Sequence, residues 1–293
     1  MRHTLSFTKA SGAGNDFVII NGLHVRLPAA KDRLARALCS RHFGIGADGL
    51  LVIERSTRAD FRMLYFTADG SYGGMCGNGG RCIARYAFEH GIAQPAMSFE
   101  SLDDLYTAEV TGAAVRLHMR DPVKARSRFP ISAGGKTYQA NFIDTGAPHL
   151  VIFDEALEDL DVLASGRLLA HHEMFAPGGT NVDFIQLTGA DRIAMRTYER
   201  GVEDETLACG TGSVASAAIA SFEFGLRSPV HVRTRGGEEL HVEFTNDTGT
   251  IRDVVLVGSA RLLFSGNVYY DDSTEQIVDE KYLHENSAAA GNP

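Results

Sequence analysis

Apolar runs that follow glycine-rich turns form the main pattern of hydrophobic and polar positions in this chain. The runs Phe17–Ile20 and Leu150–Phe153 each follow such a turn, and short apolar runs bounded by turn residues are typical of buried strands. Helices are predicted near Lys31–Arg41 and near Leu160–His171. Further strands are predicted at Leu50–Ile53, Phe61–Phe66, Ala108–Val110, Val115–Met119, Val182–Ile185, Ile193–Tyr198, Val230–Arg233, Leu240–Phe244 and Val254–Leu256.

The two halves of the chain repeat several landmarks at a nearly constant separation. Two glycines, one aromatic residue and one cysteine of the first half recur 132 or 133 residues later. The pairs are Gly14 and Gly146, Gly46 and Gly179, Phe66 and Tyr198, and Cys76 and Cys209. This period is far longer than that of a solenoid repeat, so it indicates two copies of one domain.

Each half also carries a C-G-x-G segment that leads into a helical run. The first run begins after Cys76 and stops at Gly91, and the second begins after Cys209 and stops at Gly225. The second run is apolar nearly all round, which is typical of a buried helix. Many strands around one central helix, present twice, predict an α+β fold of two pseudo-symmetric domains. Each domain is expected to be a curved, mostly antiparallel sheet wrapped around its central helix.

The same pattern predicts where the domains begin and end. The N-terminal domain is expected to comprise residues 1–119 together with 263–276, and the C-terminal domain residues 120–262. Residues 277–293 are mainly polar and end in small residues and proline. They are predicted to form a flexible tail.

Composition and charge narrow the classes of function. The formal net charge of −9 is moderate and spread along the chain, which argues against a nucleic-acid partner. No stretch reaches the roughly 18 apolar residues of a membrane span, and the N-terminus lacks the apolar core of a signal peptide. Four scattered cysteines are too few for a disulfide framework and do not have zinc-ligand spacing. We therefore expect a cytoplasmic protein without a metal, and a homodimer is kept open.

The two cysteine segments carry the candidate chemistry. A thiol at a helix N-terminus is expected to be acidic, and the unpaired N–H groups there favour a bound carboxylate. The donors would be the backbone N–H groups of Gly77, Asn78, Gly210 and Thr211. Fixed dipoles on the carboxylate of an amino acid would make its α-proton more acidic. One thiolate could then remove that proton while the opposite thiol returns a proton to the other face, without a cofactor.

Other interpretations of the two cysteines were weighed against this one. A lone C-G-x-G segment is more often a packed structural cysteine, but two copies in register with a domain repeat favour function. A thiol–disulfide redox protein could use Cys76 and Cys209 as a reversible pair, although neither lies in a C-x-x-C motif. An amino-acid binding module without chemistry is a third interpretation. Cys39 and Cys82 lack the motif and are predicted to be structural.

The chain resembles the diaminopimelate epimerase family from about Phe7 to Val268. The matching segments are 9–17, 41–48, 68–71, 75–82, 148–149, 181–182, 198–201 and 205–212, and the two cysteine segments together are highly specific. The resemblance implies a cofactor-independent epimerase of two pseudo-symmetric domains with the active site between them. It would convert LL- to meso-diaminopimelate for lysine and cell-wall synthesis.

The resemblance also implies roles for individual residues. Cys76 and Cys209 match the acid/base pair, and His149 and Glu199 match residues that help to set the protonation states of the thiols. Asn15 matches a substrate contact near the reacting centre. Asn181 and Arg200 match contacts to the far end of the substrate, where a guanidinium suits a carboxylate because it can bind both oxygens.

Three positions depart from the common pattern of the family. Gly49 stands where many members have glutamine, and Thr67 and Ala147 stand where asparagine is usual. Those asparagines help to bind the far amino-acid group, so Thr67 is kept as a candidate substrate contact. Losing two amides should weaken discrimination at that end. A racemase of another polar amino acid, such as histidine, is therefore the second prediction.

Overall fold

The computed structural model describes residues 1–247 and 249–280. Within that range there are four α-helices and eighteen strands. The helices are α1 (Lys31–Cys39), α2 (Gly77–Glu89), α3 (Val162–Ala170) and α4 (Gly210–Phe224). The strands are β1 (Arg2–Gly12), β2 (Asn15–Asn21), β3 (Gly49–Glu54), β4 (Phe61–Thr67), β5 (Ala96–Ser101), β6 (Asp104–Thr111), β7 (Ala114–His118), β8 (Val123–Ala133), β9 (Lys136–Asp144), β10 (Pro148–Phe153), β11 (Asn181–Leu187), β12 (Arg192–Glu199), β13 (Asp204–Thr206), β14 (Val230–Arg233), β15 (Glu239–Asp247), β16 (Thr250–Ser259), β17 (Arg261–Asp271) and β18 (Gln276–Val278).

The chain forms two compact units. The first unit comprises Met1–Val110 and the segment from Ala260 onward, and the second comprises Thr111–Ser259. The division after Val110 lies nine residues before the boundary predicted at 119/120, and the division after Ser259 lies three residues before the one predicted at 262/263. No helix among the described residues has the length and apolar character to span a membrane.

Strand pairing in the first unit follows the order β18-β17-β1-β2-β3-β4-β5-β6. The pairs β2–β3 and β4–β5 are parallel, and the other pairs are antiparallel. Helix α1 follows β2 and covers a core cluster that includes Leu5, Val18, Leu34 and Leu50. Mixed pairing arises because each parallel step needs a crossover, and α1 and α2 supply the two crossovers.

The second unit repeats this arrangement. Its strands pair in the order β8-β9-β10-β11-β12-β14-β15-β16-β7, and β13 forms a hairpin with β12. Only β10–β11 and β12–β14 are parallel among these pairs. The series β2-α1-β3-β4-α2-β5-β6 therefore recurs as β10-α3-β11-β12-α4-β14-β15. The predicted α+β duplication is confirmed.

One helix lies at the centre of each unit. Helix α2 contacts β1, β2, β3, β4 and β17, and α4 contacts seven strands of its own sheet. A sheet that touches one helix with so many strands must curve around it. Helix α4 is buried along nearly its whole length, as its uniformly apolar sequence predicted. It ends at Gly225, whose φ of 71° is the left-handed conformation that glycine adopts without a steric penalty.

The start of the predicted flexible tail is a strand in the structure. Gln276–Val278 pairs with Tyr269–Asp271, and Ile277 packs against the core cluster of the first unit. Burial of this isoleucine and the ladder hydrogen bonds favour order over a free chain end. The remainder of the predicted tail, residues 281–293, lies outside the described residues.

Candidate active site

Both cysteines that the sequence singled out are the N-cap residues of central helices. Cys76 precedes α2 with φ −125° and ψ 122°, and Cys209 precedes α4 with φ −118° and ψ 116°. Each sulfur takes the place of the usual capping oxygen. The N–H of Gly79 donates to Sγ of Cys76 at 3.5 Å, and the N–H of Gly212 donates to Sγ of Cys209 at 3.4 Å.

Because each cysteine is an N-cap, the two residues that follow it provide the first backbone N–H groups of the helix. Gly77 and Asn78 open α2, and Gly210 and Thr211 open α4. In general, the first N–H groups of an α-helix point away from its hydrogen-bonded turns and can bind other acceptors. A carboxylate at either helix N-terminus would meet both hydrogen-bond donors and the positive end of the helix dipole.

In the first unit, one asparagine side chain contacts the Cys76 sulfur and a second asparagine contacts the first. Sγ of Cys76 lies 3.7 Å from Oδ1 of Asn15. The same oxygen accepts a hydrogen bond from Nδ2 of Asn78 at 3.3 Å. Strand β2 begins at Asn15 and α2 carries Asn78, so the turn and the helix bring the two amides together beside the thiol.

Charged groups fix the orientation of these amides. Arg81 donates to Oδ1 of Asn78 at 2.9 Å, which leaves Nδ2 of Asn78 to face Asn15. Asn15 donates to the Asp48 carboxylate at 2.7 Å, and Arg41 holds that carboxylate at 2.6 Å. Because the NH₂ group of Asn15 donates to Asp48, its oxygen is the atom that faces the thiol.

Asp16 extends the charged cluster behind Asn15. Its carboxylate receives both terminal nitrogens of Arg41 and lies 2.7 Å from Nζ of Lys9. Burial opposes ionisation of Asp16, but the hydrogen bonds from Arg41 and Lys9 outweigh it and lower the pKa of Asp16. The cluster is therefore charged at neutral pH and anchors the turn that carries Asn15.

In the second unit, a chain of hydrogen bonds runs from the Cys209 sulfur into the core. Oγ1 of Thr211 lies 3.5 Å from Sγ of Cys209 and 3.0 Å from Nε2 of His149. Nδ1 of His149 lies 2.7 Å from a carboxylate oxygen of Asp183. Neither His149 nor Asp183 is exposed to solvent. Strand β10 carries the histidine and its parallel neighbour β11 carries the aspartate.

Asp183 is the functional candidate that sequence reasoning missed. Its second oxygen accepts a hydrogen bond from the Thr197 hydroxyl at 2.7 Å. A Cβ atom on Gly212 would lie 2.4 Å from that same oxygen, so only glycine fits the helix turn beside it. The sequence did contain a signal, since Asp183 is the one charged residue in the otherwise apolar run Val182–Ile185. That run was predicted only as a strand.

Asn181, at the start of β11, connects this network to the next strand. Its Nδ2 lies 3.4 Å from Nε2 of His149, and its Oδ1 accepts the backbone N–H of Arg200 at 2.9 Å. The two contacts fix which end of the amide faces the histidine. Asn181 thus belongs to the surroundings of Cys209 as well as to those of Arg200.

The turn after β12 holds Arg200 in place. Nη1 of Arg200 donates to the carbonyl oxygens of Gly178 and Gly179 at 2.6 and 3.3 Å. These bonds do not use the Nε and Nη2 donors, which a carboxylate could engage. Hydrogen bonds from the Gly201 backbone and from His171 hold the pKa of Glu203 at about 2, and this carboxylate closes the turn.

The environment of Cys209 opposes ionisation of its thiol. Burial raises the pKa of Cys209 well above its ordinary value, and the negative charges of Glu199 and Asp183 raise it further. Hydrogen bonding with the Thr211 hydroxyl and the Gly212 backbone lowers it by less. The expectation of an acidic thiol is therefore wrong for Cys209, because burial and the two nearby carboxylates raise its pKa by more than the hydrogen bonds to its sulfur lower it.

Glu199 lies at the end of β12, and its Oε2 accepts a hydrogen bond from the Thr206 hydroxyl at 3.1 Å. Its charge contributes to the raised pKa of Cys209. Cys39 and Cys82, predicted to be structural, are both buried, and burial raises the pKa of Cys39 to about 12.

Two positions that depart from the family pattern have local explanations. A Cβ atom on Gly49 would lie 2.6 Å from the Tyr65 ring, so this ring fills the space that a larger residue would need. The Thr67 hydroxyl lies 3.1 Å from the Ser71 carbonyl oxygen and also donates to the Asp69 carboxylate. Thr67, predicted to contact substrate, is bonded within its own turn.

Comparison with known sequences identifies relatives along nearly the whole chain. The sequence model of the family described as diaminopimelate epimerase matches residues 7–124 and 141–263. A diaminopimelate epimerase of Chlorobaculum tepidum is 44% identical over 263 residues, which cover 88% of this chain and 99% of that relative. One from Aquifex aeolicus is 40% identical over 277 residues, covering 90% of this chain and 98% of the relative.

Solved structures share the fold at low sequence identity. A hydroxyproline epimerase from Agrobacterium vitis aligns with a TM-score of 0.71 at 15% identity, covering 94% of this chain and 96% of that one. A PhzF-family phenazine biosynthesis protein from Bacillus anthracis aligns with a TM-score of 0.73 at 14% identity, covering 91% and 99%. These likenesses concern the fold alone.

Proposed function

The chain belongs to the diaminopimelate epimerase family, and we propose that it interconverts LL- and meso-diaminopimelate by proton transfer at the α-carbon between two thiols. It is an isomerase that acts on amino acids. One observation carries the proposal: each unit places a cysteine as the N-cap of its central helix. A duplicated thiol of this kind suits a reaction that needs one group on each face of a carbon atom.

The helix N-termini supply the electrostatic part of the reaction. A substrate carboxylate that accepts hydrogen bonds from the first N–H groups of α2 and α4 is stabilised most when it gains charge. Such charge appears as the α-proton leaves. The N–H groups of Gly77, Asn78, Gly210 and Thr211 therefore lower the barrier to deprotonation without a carbonyl cofactor.

The two sulfurs supply the acid and the base. The thiolate takes the α-proton, so a carbon–hydrogen bond breaks and a sulfur–hydrogen bond forms. The thiol of the other cysteine then gives its proton to the opposite face, which inverts the centre and leaves a thiolate there. The pair ends with its protonation states exchanged, and the two thiols titrate as one coupled system.

Arg200 and Asn181 support recognition of the far end of the substrate. The guanidinium is fixed on the turn at 178–179, where its fork can bind a second carboxylate through two parallel hydrogen bonds. Diaminopimelate carries such a second carboxylate, whereas a simple amino acid does not. This contact therefore favours diaminopimelate over smaller substrates.

A racemase of another polar amino acid is the second candidate. The observation that favours it is Thr67, whose hydroxyl bonds to Asp69 within its own turn. Ala147 likewise offers no side-chain amide. Fewer polar contacts at the far end would reduce rejection of other amino acids.

The proposal extends to the role of the enzyme in the cell. Interconversion of diaminopimelate stereoisomers would serve the synthesis of lysine and of peptidoglycan precursors. Four free cysteines among the described residues are compatible with a reducing compartment, and the proposed location is the cytoplasm.

Solvent exchange tests the proposal directly. The protein is incubated with a panel of amino acids in deuterated water, and mass gain at the α-carbon is measured. We expect gain with diaminopimelate, and no inversion in Cys76→Ala or Cys209→Ala. Cys39→Ala, which removes a thiol that caps no helix, is the control and should retain activity.

Three other outcomes would redirect the interpretation. Exchange with histidine alone would promote the second candidate. Binding of an amino acid without exchange would favour a binding module. Electron transfer to a partner through a Cys76–Cys209 disulfide would favour a redox protein.

A further inference from the structure

Strand register places different residues at equivalent positions behind the two cysteine turns. In the first unit Phe17 pairs with Gly49, and Leu51 pairs with Tyr65. In the second unit the same steps on β10, β11 and β12 pair His149 with Asn181, and Asp183 with Thr197. The equivalent residues are Phe17 and His149, Gly49 and Asn181, Leu51 and Asp183, and Tyr65 and Thr197.

The helix turns confirm this equivalence. A Cβ atom on Gly79 would lie 3.2 Å from Leu51 and 3.6 Å from Phe17. A Cβ atom on Gly212 would instead meet the Asp183 carboxylate. The side chains nearest this helix turn are therefore apolar behind Cys76, whereas a carboxylate lies behind Cys209.

The fold itself does not require a carboxylate at this position. Its duplicate folds with Leu51 there, which is fully buried. Burying a carboxylate is costly unless it is paired and hydrogen-bonded. Asp183 is both, through His149 and Thr197. A group that costs stability, and that the duplicate replaces with leucine, points to a chemical role.

The hydrogen bonds determine the tautomer of His149. Because Asn181 accepts the N–H of Arg200 through Oδ1, its NH₂ group faces Nε2 of the histidine. A carboxylate faces Nδ1. A carboxylate can only accept and an amide NH₂ group can only donate. These contacts fit the His149 tautomer with its proton on Nδ1 and its lone pair on Nε2.

This tautomer directs the Thr211 hydroxyl. Its proton points to Nε2 of His149, at 3.0 Å, and its oxygen is then free to accept the S–H of Cys209, at 3.5 Å. The sulfur, hydroxyl and imidazole form one continuous path for a proton. Asp183 stands at the buried end, where it would stabilise an imidazolium.

We propose that Asp183 is a positioning residue that holds His149 as the Nδ1-protonated tautomer, so that Thr211 and His149 form a proton relay serving Cys209. The inference rests on the proposed function. In the relay step the Cys209 proton moves to the Thr211 oxygen as the Thr211 proton moves to Nε2 of His149. The products are a thiolate and an imidazolium beside the Asp183 carboxylate, and no oxidant or reductant is involved.

The described contacts around Cys76 are of another kind than those around Cys209. The amide of Asn15 faces that sulfur, and the apolar pair Phe17 and Leu51 lies behind its turn. The titratable groups that face Cys209 are His149 from β10, Asp183 from β11 and Glu199 from β12. The relay thus makes the two thiols of a duplicated fold chemically unequal.

Asp183→Asn tests the relay with little change in shape. The amide can donate to Nδ1, which moves the histidine proton to Nε2 and reverses the direction of the Thr211 hydroxyl. We expect the rate of inversion to fall by about 100-fold, the lower end of what acid–base groups contribute, with KM changed by less than about twofold.

Alkylation separates the relay from a structural effect. With one negative charge removed, the Cys209 thiol should react with iodoacetamide at a pH lower by about one unit. The profile of Cys76 should not move. Ser216→Ala removes a buried hydroxyl from the same helix, one that bonds only to Met195 sulfur in the described contacts, and should match the wild type in both assays.

A second pair of variants tests the relay even if Asp183→Asn does not fold. Thr211→Val keeps the backbone N–H but breaks the path, and should lower the rate by about tenfold or more. Thr211→Ser restores the hydroxyl and should restore the rate. Wild-type rates and an unchanged Cys209 profile in Asp183→Asn, or a wild-type rate in Thr211→Val, would overturn the relay.

The same exchange assay distinguishes failure of the relay from failure of the proposed function. If Cys76→Ala and Cys209→Ala still invert diaminopimelate, the two-thiol function is wrong whatever Asp183 does. If both cysteine variants are inactive while Asp183→Asn and Thr211→Val keep the wild-type rate, only the relay is wrong.

Discussion

The two cysteine turns have nearly the same backbone and opposite surroundings. Each thiol caps the central helix of its unit and accepts one N–H bond. Behind Cys76 lie Phe17 and Leu51, whereas behind Cys209 lies the pair His149 and Asp183. The two units share the backbone geometry that places a thiol at the helix N-terminus. They differ in the side chains behind that thiol, and these side chains determine its chemistry.

The largest effect is expected when the second unit receives the apolar pair of the first. His149→Phe/Asp183→Leu removes the relay while retaining side chains that the duplicate packs at the same positions. Inversion should fall by about 1,000-fold, within the range for loss of acid–base groups. Single-turnover exchange would measure it, and a wild-type rate would mean that the charged layer is irrelevant to catalysis.

The reverse substitution should destabilise the first unit. Leu51→Asp places a carboxylate where no histidine faces it, and an unpaired buried charge costs about 3–5 kcal/mol. Denaturant unfolding would measure the loss. Leu51→Ile conserves volume and should cost less than about 1.5 kcal/mol. Equal stability of these two variants would contradict the comparison.

A smaller difference is expected between the two helix-turn glycines. In Gly212→Ala the new methyl group meets the Asp183 carboxylate at 2.4 Å, whereas in Gly79→Ala it meets the end of the Leu51 side chain at 3.2 Å. Overpacking costs about 1–3 kcal/mol. Gly212→Ala should therefore lose that much more stability than Gly79→Ala, which thermal unfolding of both variants would show.

The smallest effect concerns stability at alkaline pH. Folding raises the pKa of Cys209 well above its ordinary value and that of Cys39 to about 12. Unfolded thiols ionise from about pH 8.5, so above that pH the unfolded chain has lost protons that the folded chain keeps. Stability should be complete below about pH 8.5 and fall as pH rises.

Unfolding measured between pH 7 and pH 10 would test this slope. A Cys39→Ala/Cys209→Ser variant is the control and should show a shallower decline. If the stability of this variant falls as steeply with pH as that of the wild type, groups other than these two thiols cause the decline.

Several helices of the fold could be predicted from the spacing of apolar residues and glycines in the sequence. The helices predicted near Lys31–Arg41 and Leu160–His171 are α1 and α3, and the segments after both cysteines are the central helices. Glycine turns, apolar runs and helix stops act over a few residues, so one sequence suffices to find them. Strand β18 continues past the predicted start of the tail because Ile277 packs against core residues that are distant in sequence.

The candidate site was predicted only in part, and the reason is strand register. Cys76, Cys209, Asn15 and His149 were proposed from the sequence because they stand in recognisable motifs. Asp183 was missed because its meaning depends on a histidine 34 residues away on the neighbouring strand. A strand pattern shows that a residue is buried but not which side chain lies opposite it.

By itself the sequence determined that one α+β domain occurs twice and that each copy sets a thiol at the start of a central helix, because turns, periodicity and spacing are local properties. Only the tertiary structure decided that the second thiol is buried beside two negative charges and backed by a histidine–aspartate pair. Desolvation and the geometry of hydrogen bonds arise from neighbours that strand pairing brings together, and they exist only once the chain is folded.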